Sequence, residues 1–136
     1  MKKLLATLLL ASSLCLVGCS QSESSGSAKS KLESSGYSAT IYNAADSKTR
    51  YESYFNFAGT NLVDSVVALK GEGDNRDYFL AFYFSNINEA SSFLDTNYVA
   101  LLRAAENNIG KNLKATAGAK NNAVYSASTV SFSVVF

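Results

Sequence analysis

The sequence predicts an α+β domain, a mainly antiparallel sheet packed on helices, and three stretches carry that expectation. Val63 to Lys70 and Asp77 to Ser85 are two β-type runs on either side of the turn-rich "GEGDNR", the pattern of a hairpin. Asn86 to Gly110 then carries apolar residues at spacings of three and four, the pattern of one long amphipathic helix. Finally, Val130, Phe132, Val134 and Phe136 alternate with Ser131, Ser133 and Val135, the period of a strand with one buried face.

Residues 20–30, "SQSESSGSAKS", are Ser-rich and polar and read as a flexible tether, because they offer too little apolar surface to offset the entropy of ordering. Ala28 to Ser35 reads as a short helix stopped by Gly36, with only Ala28 and Leu32 to seat it. In "GYSATIYN", Tyr37, Ala39 and Ile41 alternate with Ser38, Thr40 and Tyr42, as in a half-buried strand. Ser47 to Ala58 admits two readings. Tyr51, Tyr54, Phe55 and Ala58 share a helix face between an Asp46 cap and a Gly59 stop, which favours helix; alternation through Tyr51, Ser53, Phe55 and Phe57 would suit a strand.

In the second hairpin run both alternating sets are apolar, Tyr78, Leu80, Phe82 and Phe84 against Phe79, Ala81 and Tyr83, so this strand belongs in the middle of a covered sheet. Asn86 and Glu89 form a capping-box pair at the start of the long helix, Gly110 marks its stop, and Ile87, Ala90, Leu94, Tyr98, Leu101, Ala105 and Ile109 trace its apolar stripe. After a polar link, "NAVYSAS" and "TVSFSVVF" read as β, one long strand or a hairpin closing around Ser126 to Ser128. A ferredoxin-like or split βαβ arrangement is the specific topology this order suggests.

The first residues have another character. Lys2 and Lys3 form a basic head, and Leu4 to Leu16 is apolar apart from Thr7, Ser12 and Ser13, before Val17, Gly18 and Cys19. These are the parts of a secretory leader in order, and the run falls short of the about 20 apolar residues that cross a bilayer. The stretch Leu16, Val17, Gly18, Cys19 resembles the lipobox of bacterial lipoproteins. That resemblance implies removal of residues 1–18, a diacylglyceryl group on the Cys19 sulfur, and attachment to the extracytoplasmic face of the cell membrane. Two acyl chains make such an anchor stable where one is marginal. By the same resemblance, Ser20 rather than Asp favours the outer membrane if the cell is Gram-negative. Ordinary cleavage would want an A-x-A-like site, which "VGC" matches poorly.

About 118 residues would remain, enough for one domain over residues 31–136 behind a lipidated cysteine and tether at 19–30. With a net charge of +1 and no clustered Lys/Arg, the chain lacks the basic stripe of a nucleic-acid binder and the polybasic patch of a membrane-surface protein. It contains no histidine, and its two cysteines are Cys15 in the leader and Cys19. The mature domain would therefore offer no imidazole or free thiol for catalysis, redox exchange or metal binding. "GEGDNR" lacks the Lys-Ser/Thr of a P-loop and the glycine spacing of a dinucleotide fold, and no cofactor is expected.

Glu72, Asp74 and Asp77 hold the oxygen ligands calcium prefers but miss the EF-hand order, and a solvated turn explains them better. A carboxylate-based hydrolase acting on envelope polymers would have to draw its pair from Asp64, Glu72, Asp74, Asp77, Glu89 and Asp95, none of which is singled out by its neighbours. The abundant feature is aromatic, eight Tyr and eight Phe. Most of these serve a core without disulfides. Tyr42, Tyr51 and Tyr54 lie outside the best-defined stripe and are the candidates for contact with a partner. The expectation is a non-catalytic binding or accessory module at the bacterial envelope, tethered to the membrane through Cys19 and meeting an envelope protein or peptide. A purely structural envelope component is the remaining alternative.

Overall fold

The computed structural model describes residues 22–136, so the leader, Leu16, Val17, Gly18 and Cys19 lie outside the described residues. The elements are α1 (Ser25–Ser34), β1 (Ser38–Asn43), α2 (Ala44–Tyr51), β2 (Leu62–Lys70), a 3-10 turn (Gly73–Asn75), β3 (Asp77–Phe84), α3 (Ile87–Asn108), β4 (Ala115–Lys120), β5 (Ala123–Ser128) and α4 (Thr129–Val135). The strands form one sheet in the order β1-β2-β3-β5-β4, antiparallel at every pairing. The domain is thus α+β, as the sequence predicts.

Helices lie on both faces, so the central strand is greasy on both sides for a reason. All eight residues of β3 are buried. Phe79, Ala81 and Tyr83 meet α1 and α4 through Ala28, Leu32 and Val135, whereas Leu80, Phe82 and Phe84 meet α3 and the loop after α2 through Phe93, Leu101, Phe55 and Phe57. A bulge between Leu62 and Asp64 puts Leu62 on the same face as Val67 although an odd number of positions separates them.

Part of the expected topology is present. β3 and β4 run parallel with β5 between them, so β3-α3-β4 is a split βαβ unit. The full ferredoxin-like arrangement is not formed, because β1 and β2 are antiparallel neighbours with α2 lying across them instead of a second interleaved unit.

Four expectations need correction. The fold reaches back into the expected tether, since Ser25 to Ser30 belong to α1. Ser24 Oγ caps it by accepting from the Ser27 amide at 3.2 Å, Ser25 Oγ donates to Asp64 at 2.6 Å, and Ala28 and Leu32, four apart, are fully buried. The helix read over Ala28 to Ser35 is present and is seated by those two apolar positions, but polar composition hid its first turn. Residues 47–58 form neither a full helix nor a strand. α2 starts earlier, with Asn43 and not Asp46 as its cap, and ends at Tyr51, after which Phe55 and Phe57 enter the core from a loop.

The segment from Thr129 onward is a helix, not a strand. Ser128 and Ser131 form a reciprocal capping box that starts α4, and Ser131 Oγ then donates to the Tyr78 carbonyl at 2.8 Å, so these two serines fix the helix to the sheet. The expected polar link contains β4. Its two-residue turn at Asn121 and Asn122 puts Asn121 at φ +53°, a conformation asparagine tolerates. Asn122 also holds the start of the domain, its Oδ1 accepting from the Glu23 amide at 2.7 Å.

The long helix spans the expected range without interruption, and Asn86 caps it by accepting from the Glu89 amide at 3.0 Å. Its buried line is Ala90, Phe93, Asn97, Leu101 and Ala105, rotated from the expected stripe so that Ile87 and Tyr98 stand exposed. Gly110 follows the helix for a different reason from a left-handed stop. A Cβ there would overlap the Asp74 carbonyl, because the chain passes directly against the 3-10 turn and bonds to it through Gly110 N to Arg76 O at 2.8 Å and Asn112 N to Asp74 O at 3.0 Å. Gly110→Ala is therefore expected to cost about 2–3 kcal/mol by forcing the two segments apart. A urea midpoint equal to the parent's would contradict this packing.

Candidate functional site

A groove of about 1000 Å³ lies between α2 and α3. Its floor is the cross-strand pairs Val67 with Leu80 and Leu69 with Tyr78. One wall is the end of α2 and the following turn, Arg50, Tyr51, Ser53 and Tyr54; the other is α3 from Thr96 to Asn108, including Val99 and Arg103. A smaller, shallower hollow of about 570 Å³ over residues 48–57 adjoins it and shares Ser53, Tyr54 and Phe55.

The sequence builds both walls by local rules. Asn43 Oδ1 accepts from the Asp46 amide at 2.8 Å to start α2, and fully buried Ser47 pins that helix to the sheet through a 2.6 Å contact between its hydroxyl and that of Ser65. Asn97, buried on α3, then clamps the loop after α2. Its Oδ1 accepts from the Asn56 amide at 2.8 Å and its Nδ2 donates to the Asn56 carbonyl at 3.0 Å. One side chain satisfies both backbone groups of a loop residue, which fixes the spacing between the walls.

The three tyrosines singled out from sequence gather at this side of the molecule in different roles. Tyr54 stands on the rim, 69 % exposed. Tyr51 is half-buried in the wall with its ring edge-on to Phe82 at 5.4 Å, and burial pushes its hydroxyl pKa up against the opposing pull of Arg50. Tyr42, on β1, does not line the groove; the Arg50 guanidinium lies over its ring at 4.8 Å and donates from Nε to Tyr51 Oη at 3.3 Å. Tyr42 and Tyr51 together hold a cation at the groove edge. Arg50 and Arg103 carry no signal in the sequence, because only the folding of two distant helices brings them to one groove; Val99 is exposed beside Arg103 on the same wall.

No carboxylate lines this groove, and neither arginine forms an ion pair among the described residues. Its chemistry is that of a trough with a mainly apolar floor, walls that mix polar and apolar side chains, and a positive charge on each wall.

The acidic residues are engaged elsewhere. Asp77 is buried and accepts from Tyr37 Oη at 2.5 Å, from the Tyr78 amide at 2.7 Å and from Ser128 Oγ, a junction that joins β1's approach, β3 and the α4 cap. Burial first, then the bond to Asp77 and its charge, push the Tyr37 hydroxyl pKa well up. Asp64 takes the Ser25 hydroxyl, Glu89 accepts from the Asn61 amide, and Asp74 lies 3.5 Å from Lys111 in the exposed turn, with Glu72 beside it. Asp95 is exposed on α3. Glu72, Asp74 and Asp77 do not converge, and no cluster of three or more acidic residues suited to a metal ion occurs among the described residues. No helix among the described residues is long and apolar enough to cross a membrane. Searches with protein-family models, curated proteins and solved structures match nothing to this chain.

Proposed function

We propose that the protein is a lipid-anchored extracytoplasmic lipoprotein that works by binding, without catalysis, and that the α2–α3 groove is its binding site. The observation that carries this reading is the groove itself: a volume at the upper end of the range for ligand sites, an apolar floor, and Arg50 and Arg103 on opposite walls with no carboxylate between them. The anchor rests on the lipobox resemblance at Leu16 to Cys19. It complements the groove's position. The described chain starts at the Asn122 end of the sheet, beside Phe84, and the Tyr78 end of the groove floor lies about 20 Å further along β3. Glu23 lies four positions after Cys19, at most about 14 Å of chain. An anchored domain would stand close to the membrane with that end of the groove turned outward.

The anchor is tested by Cys19→Ser. The parent is expected in the detergent phase and the variant in the aqueous phase, and partner cross-links in intact cells should weaken with it. Equal partitioning of the two would contradict the anchor, and cross-links indifferent to the substitution would contradict an envelope role.

A further inference from the structure

We infer that the groove receives an amphipathic helix of a partner protein, one whose apolar stripe is flanked by acidic residues; this rests on the reading of the groove as the binding site. Three features of the molecule select this occupant. The first is shape. On one face of the sheet α1 and α4 both pack, whereas on the other α3 is the one long helix and α2 is short. The trough between them follows α3 from Thr96 to Asn108, about 18 Å at 1.5 Å per residue, over a floor made by β2 and β3.

The second is hydrogen bonding. The floor is a sheet face and presents side chains, not the open backbone edge that an extended peptide needs. A helix pairs its own backbone groups and asks only for apolar contact. The third is the rim. Tyr54, Val99 and Leu69 are 69 %, 65 % and 50 % exposed, so the apolar surface continues past the recess where a small enclosed ligand would leave it wet. Arg50, steadied over Tyr42, and Arg103 then face both flanks of the incoming helix, which complements them when those flanks are acidic.

The test uses the full chain in its own cell envelope. Val99→Cys places a thiol on the α3 wall, to be labelled with a maleimide-benzophenone and photolysed, with Val130→Cys on α4 as the control on the opposite face. The expected product is a cross-link to a partner segment with apolar residues at i, i+3, i+4 and i+7 and Asp or Glu beside them. Its yield should fall at least tenfold with Arg103→Glu, at an unchanged melting temperature, and return when the captured acidic residues are replaced by lysine. Cross-links to a second copy of this chain, to a lipid or small molecule, or to an extended or basic segment would overturn the helix and leave the groove as a site. A yield indifferent to Arg103→Glu would overturn the charge pairing on which the inference depends. No cross-link above the Val130→Cys control would overturn the groove reading itself.

Discussion

Phe82→Ala is expected to destabilise the domain by about 3–5 kcal/mol, the largest effect of any single truncation in the fold. Phe82 is fully buried at the centre of β3, and its ring lies 5.3–5.4 Å from those of Tyr51, Phe55, Phe57 and Phe93. Those four come from α2, the following loop and α3, so one ring holds together the sheet and both walls of the groove. Domains of this size are stable by only about 5–15 kcal/mol, and the loss would take a large share of that. Urea unfolding should show a lower midpoint at similar slope, and Phe82→Leu, which keeps most of the volume, should cost less than about 1.5 kcal/mol. Equal midpoints for Phe82→Ala and the parent would mean that the aromatic cluster is not the core.

Asp77→Ala is expected to cost about 3–4 kcal/mol for a different reason. The carboxylate is buried and acts only as an acceptor, for Tyr37 Oη, Ser128 Oγ and the Tyr78 amide. Removing it leaves buried donors without partners, each costing about 1–3 kcal/mol. Asp77→Asn keeps the shape but turns one acceptor into a donor facing hydroxyls that can rotate, and should cost about 1–2 kcal/mol. Tyr37→Phe should then be less damaging in the Asp77→Ala background than in the parent, with a coupling of about 1 kcal/mol or more in a double-mutant cycle. Additive effects would contradict the junction. The same junction explains α4, since Ser128 both serves Asp77 and caps the helix.

The sequence and the fold agree where one local rule decides. The two apolar sets of β3, the capping pair Asn86 and Glu89, and the "GEGDNR" turn are each sufficient signals, and each element forms. They part where a distant partner decides. Val130 to Phe136 alternates like a strand, yet Ser131 bonds the carbonyl of Tyr78, 53 positions away, and the segment winds into a helix. Ser25 to Ser30 looks like tether, yet Asp64 and the sheet give it a seat. Ala115 to Lys120 has small side chains without contrast, and only its pairing with Ala123 to Ser128 makes it a strand. The groove shows the same division. Tyr51 and Tyr54 are marked by residue type, whereas Arg50, Val99 and Arg103 become a site only when Asn97 fixes the distance between two helices.

If the groove is the working surface, it is occupied at the cell envelope. With the leader removed and Cys19 acylated, as proposed above, Val99→Cys and Val130→Cys would each offer a single exposed thiol, one in the groove and one on the far face. The decisive quantity is the rate at which each reacts with a membrane-impermeant maleimide, in intact cells and in the purified protein. Val99→Cys should be protected in cells by at least tenfold, with Val130→Cys reacting at similar rates in both settings. Equal reactivity of Val99→Cys in cells and in isolation would contradict occupancy of the groove.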